Sequence, residues 1–145
     1  MKTSTLPVLL LVAACSPAPQ EPVANQTEPV EAEKRVEAVP ALAGEWTVSQ
    51  VNGRPLSQPH PIAANFGEDR LSVRSDCVRM GWAYTQDRNI VSFTSPSDQG
   101  CPGRRTGDET EAKRAVTLAN IAMFSNDGQE VQLSGAGGSL TMTRS

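Results

Sequence analysis

Apolar and polar residues alternate along the chain in short runs separated by turn signals, and the pattern is continuous only from residue 41 onward. Gly44–Val51 places Trp46, Val48 and then Gln50 on one face of a strand, with Glu45, Thr47, Ser49 and Val51 on the other. Asn52-Gly53 marks a tight turn after it. Further strands are predicted at residues 62–66, 70–75, 80–85 and 89–94, the last two joined through Gln86-Asp87-Arg88. Trp82 and Tyr84 fall on one face of the fourth strand. The first expectation for both rings is core or cross-strand packing, and the alternative is a binding role.

Residues 95–107 are polar and glycine-rich and read as a loop. Thr106-Gly107-Asp108-Glu109 fits a capping box and predicts a helix start. Ala112, Ala115, Val116 and Ala119 then form a narrow apolar stripe at i, i+3, i+4 and i+7, with Lys113 and Arg114 facing out. Three more strands follow at 121–125, 130–134 and 139–143, separated by Asn126-Asp127-Gly128 and by a flexible glycine turn at 135–138. The pattern therefore predicts a mainly β fold with one helix (α+β) between strands five and six. The strands are expected to form a small twisted antiparallel sheet or partly open barrel.

The residues before this domain have a different character. Lys2, the apolar run 6–12 and the small pair Ala13-Ala14 read as an export signal over residues 1–14, too short to span a bilayer. Val12-Ala13-Ala14-Cys15 resembles a bacterial lipobox, with Cys15 as the acylated first residue of the mature chain. Several acyl chains anchor stably where one is marginal. Ser16, in place of an aspartate, leans toward the outer membrane, with the domain facing the periplasm. Residues 15–40 hold Pro17, Pro19, Pro22, Pro29 and Pro40 among acidic residues and read as an extended tether to a domain over 41–145. With Cys15 accounted for, Cys77 and Cys101 remain, and in an exported protein such a pair is most simply a disulfide. It would close a loop of about 25 residues over the central strands, worth roughly 3.5 kcal/mol by chain entropy.

A net charge of −3 argues against a nucleic-acid partner, which needs a basic face. The sequence has no CxxC pair, no histidine cluster and no nucleophile elbow or phosphate-binding glycine loop, so neither a metal nor a cofactor is expected. His60 stands alone between Pro59 and Pro61. Asp69, Asp76, Asp87 and Asp98 read as turn aspartates, and Arg104 and Arg105 as solvated. The leading expectation is a non-enzymatic envelope module with an unidentified protein or small-molecule partner. The alternatives are a periplasmic lysozyme-type inhibitor presenting loop 95–107, and a carboxylate-dependent hydrolase.

Residues 42–143 resemble the META domain family of HslJ-like heat-shock proteins. The resemblance is carried by Leu42-Ala43-Gly44-Glu45-Trp46, by Asn52-Gly53-Arg54-Pro55-Leu56, and by Leu71-Ser72-Val73 leading to Ser75-Asp76-Cys77. Gly81-Trp82-Ala83-Tyr84, Cys101, and the closing Val131-Gln132-Leu133 with Ser139-Leu140-Thr141 continue it. The sequence departs from the pattern at Val78, where the family has asparagine. The resemblance implies a small β-rich fold with a helix, often on an envelope lipoprotein. Family members are linked to stress tolerance, antibiotic resistance and motility, with no defined biochemical activity.

Overall fold

A computed structural model of the chain describes residues 38–100 and 103–145. The export signal, Cys15, most of the tether and Cys101 lie outside the described residues. Nine strands and one helix follow in the order β1 Gly44–Val51, β2 Arg54–Pro55, β3 Ala63–Phe66, β4 Arg70–Ser75, β5 Val78–Asp87, β6 Ile90–Gln99, α1 Gly107–Thr117, β7 Ala119–Ser125, β8 Glu130–Gly135 and β9 Gly138–Arg144. The fold is mostly β with one helix, as the alternation predicts.

The sheet is more closed than a partly open barrel. Each long strand pairs antiparallel with the next, and β1 pairs with β9 through Trp46–Arg144, Thr47–Thr143 and Val48–Met142. Eight strands thus form a complete up-and-down ring, with β2 as a two-residue appendage on β1. Closure pairs both edges of most strands, which limits edge-to-edge association, and leaves the edge of β6 beyond Ile90 without a ladder. The narrowest joint lies between β6 and β7, where Ile90–Ile121 is the one bridging pair.

Inward residues from every long strand fill the ring as one apolar cluster. Trp46, Trp82, Leu71, Val131, Leu133, Leu140 and Met142 are all at most 1% exposed. Phe66 meets Tyr84 edge-on at a centroid distance of 5.2 Å, and Tyr84 stacks on Phe93 at 6.1 Å. Aromatic contacts of this kind add about 0.5–1.5 kcal/mol each beyond area burial.

Three local expectations are corrected. A register shift between Val48 and Gln50 inserts a β-bulge, so Val51 turns inward and is buried with Trp46 and Val48. The strand expected to stop at Thr94 continues to Gln99. Ser95 takes a positive φ of 50° at a second bulge, and Pro96 is tolerated because that edge of β6 faces no ladder. The glycine turn at 135–138 is a packing seat. A Cβ on Gly135 would lie 1.9 Å from the Leu118 carbonyl oxygen, and one on Gly137 would lie 2.2 Å from that of Arg114.

Helix α1 seals one end of the ring. The Thr106 hydroxyl accepts from the Glu109 amide at 3.2 Å, and Glu109 accepts from the Thr106 amide at 2.8 Å, completing the capping box. Ala112, Ala115 and Val116 face the core. Asp108 accepts from the Ser57 amide and hydroxyl and from the Gln58 amide, tying the loop after β2 to the first helical turn. At the other end Gln86 holds residues 40–42, donating to the Pro40 carbonyl and accepting from the Leu42 amide. Trp46 Nε1 donates to the Leu42 carbonyl at 2.7 Å.

Gly135→Ala is expected to cost about 3 kcal/mol, because backbone has to move. Gly53→Ala, with open space around it and a φ of 72°, should cost about 1 kcal/mol. Urea unfolding midpoints of the two variants check the contrast.

Candidate functional site

Residues of β1, β3, β4 and β5, with Ser145 after β9, line a groove of about 520 Å³, and Glu45, Ala63, Asn65, Ser72, Arg74 and Arg79 are its outward-facing side chains. Pairing fixes who stands beside whom. Glu45 lies opposite Asn65, Asn65 opposite Ser72, and Ser72 opposite Gly81. One step along the strands, Thr47 lies opposite Ala63, Ala63 opposite Arg74, and Arg74 opposite Arg79. Small side chains at Ala63 and Ser72 keep the floor low, and the groove is flanked by charge on two sides.

The Arg74–Arg79 juxtaposition is unusual. Like charges directly opposite on antiparallel strands are destabilising. Both arginines are exposed, and among the described residues neither makes a hydrogen bond or an ion pair. The ion pairs that form lie elsewhere: Arg54–Glu111, Arg104–Asp76, and Arg105 and Lys113 on Asp98. Across the groove, Asn65 Nδ2 donates to Glu45 Oε1 at 3.4 Å. A basic pair and an oriented carboxylate therefore sit at separate places in one concavity.

A second surface of about 490 Å³ is lined by residues 38–40, Asn89, Phe124, Ser125, Asp127 and Gly128. Near the β6–β7 joint, Ile90, Ile121 and Met123 stand exposed and offer apolar contact alone. No group of three or more metal-ligating side chains forms among the described residues. No helix among them is long and apolar enough to cross a membrane.

The residues singled out from the sequence are dispersed. Trp82 is wholly buried and donates to Thr117 Oγ1 at 3.1 Å, while Tyr84 is 8% exposed and donates to the Gly67 carbonyl at 2.7 Å. Both rings belong to the core and line neither groove. Burial pushes the Tyr84 phenol upward, helped by the Asp69 carboxylate. His60 lies exposed on the loop before β3. Cys77 occupies the turn between β4 and β5 and is disulfide-bonded. Asp98, read as a turn residue, is on β6 and receives Arg105 and Lys113. Arg105 is consequently not a solvated side chain.

Sequence reading missed Arg74 and Arg79 as a pair. Ser75 pairs with Val78 across the two-residue turn Asp76-Cys77, and Asp76 adopts a positive φ of 40°. Recognising that turn would have set the two arginines opposite each other. The break expected between 75 and 80 hid the hairpin.

Comparison with known proteins adds the fold. No family model matches the chain, and no curated protein does. A solved structure, described as the NMR structure of the protein from Burkholderia xenovorans, is similar with a TM-score of 0.54 and 23% identity. The match covers 70% of this chain and 81% of that one.

Two predictions follow from the charges. Arg79→Glu converts the like-charge pair into an opposite one and should raise stability by about 0.5 kcal/mol at low salt, seen as a higher urea midpoint. Asp98 is held well below the usual carboxylate range, first by the Arg105 hydrogen bond and then by that of Lys113. A depressed carboxylate contributes stability above its unfolded value of about 3.9 and loses it as pH falls toward the folded value. Asp98→Asn should lower the urea midpoint at pH 7 and flatten its fall below pH 4.

Proposed function

We propose that the chain is a lipid-anchored, non-catalytic binding module of the bacterial cell envelope, with the groove over β1, β3, β4 and β5 as its ligand surface. The observation that carries the binding reading is the pair of opposed arginines on the wall of that groove, which have no partner among the described residues. Since the ring interior is filled, the ligand surface is on the outside.

Dispersed acids support a non-catalytic reading over a carboxylate hydrolase. Asp76 faces Arg104, Asp98 faces Arg105 and Lys113, Glu111 faces Arg54, and Asp108 accepts from Ser57 and Gln58. A hydrolase of that class needs two carboxyl groups flanking one bond. For a lysozyme-type inhibitor, the loop expected at 95–107 is shortened by the extension of β6 to Gln99.

Attachment rests on Val12-Ala13-Ala14-Cys15 and the proline-rich residues that follow, and the META resemblance points to the same setting. The domain faces the periplasm from the outer membrane. Cys77 pairs with Cys101, and their sequence neighbours support this: a Cβ added at Gly100 would lie 3.3 Å from Val78 Cγ2.

Mass spectrometry of the native chain is expected to show a mature start at Cys15 bearing acyl chains, and a disulfide-linked peptide joining Cys77 to Cys101. Cys15→Ser should release the protein from the outer-membrane fraction. An unmodified start with two free thiols would overturn the reading.

A further inference from the structure

The geometry points to a short peptide as the occupant of the groove, its carboxylate held by Arg74 and Arg79 and its ammonium group directed toward Glu45. This deepens the binding reading and rests on it. The two charged walls are separated by a definite distance. Arg74 is two strands and two residues from Glu45 in the register. With strands about 4.8 Å apart and a rise of about 3.4 Å per residue, their backbones are separated by about 12 Å. An extended peptide covers about 3.3–3.6 Å per residue, so three or four residues reach from one wall to the other. A single amino acid does not.

The chemistry of each wall agrees with this. Two guanidinium groups side by side offer the planar donor forks that match a carboxylate. The intervening Asn65 and Ser72 supply neutral hydrogen-bonding groups for peptide amides and carbonyls. The low floor at Ala63 and Ser72 leaves room for the backbone, and the groove's volume of about 520 Å³ falls within the usual range for ligand pockets. A polyanion would meet Glu45, which disfavours an extended phosphate chain. A bound carboxylate also relieves the repulsion between Arg74 and Arg79, so binding offsets a strain the free protein carries.

The test is calorimetric titration of the full-length chain in detergent with trialanine and tetra-alanine bearing free termini. Binding is expected, with affinity reduced at least tenfold by C-terminal amidation, about threefold by N-terminal acetylation, and at least tenfold by Arg79→Gln. Arg88→Gln, on the β5–β6 turn away from the groove, should bind as the parent does. Inorganic phosphate alone should bind more weakly than the peptide. Equal affinity for the amidated peptide, tighter binding of phosphate, or no heat with either peptide would overturn the proposal. Because amidation is read on the unmutated protein, a variant that fails to fold does not blur the result. Failure here would leave Cys15 acylation untouched, whereas loss of that acylation would leave peptide binding untouched.

Discussion

The circumference of the ring is the constraint from which the remaining features follow. Eight tilted strands enclose a space that side chains can just fill. Trp46 and Trp82 take up much of it, and β-branched and aliphatic residues from the other strands complete it. Closing the ring also creates two open ends. One is covered by α1, whose small residues permit a close approach, and the other by residues 40–42 held on Gln86. Both covers are polar at their attachment points, and no buried side-chain nitrogen or oxygen among the described residues lacks a partner. A polar group deprived of its partner there would cost about 1–3 kcal/mol.

With the interior occupied, the polar side chains fall to the outer surface, where pairing register decides which of them are neighbours. The chain is acidic, yet the groove carries two adjacent cations. Their mutual repulsion is modest beside the stabilisation of the β4–β5 ladder, which runs from Arg70–Ala83 to Ser75–Val78. The core and the charged groove thus use opposite faces of the same strands. Inward Leu71 and Val73 pack into the core, while outward Ser72 and Arg74 line the groove.

Much of this architecture was legible from the chain because it is local. Alternation located the long strands, and Thr106 with Glu109 located the helix start. What escaped depends on pairing between distant residues. Nothing in the period of β1 announces that its second edge meets β9. The bulge after Val48 reverses the inside and outside of Val51, an effect visible only against a partner strand. Ser95-Pro96 has the composition of a breaker, and it remains in a strand because one edge is unpaired. Gly135 and Gly137 suit a flexible hairpin by composition, whereas helix backbone rests against them. The groove was the least legible feature, since it exists only once four strands are in register.

Pairing of β1 with β9 also bears on the order in which the fold can be completed. Every strand from β3 to β8 finds a predecessor waiting, but Thr47 must wait for Thr143, about a hundred residues later. Arg144, the last residue of β9, then reaches back to the carbonyls of Ala41 and Ala43 and covers the Trp46 ring at 4.4 Å. A chain delivered amino-terminus first therefore keeps its first strand half-matched and the Trp46 ring uncovered until β9 has emerged. During that interval the growing polypeptide presents an unmatched strand edge, and the arrival of β9 makes it a barrel.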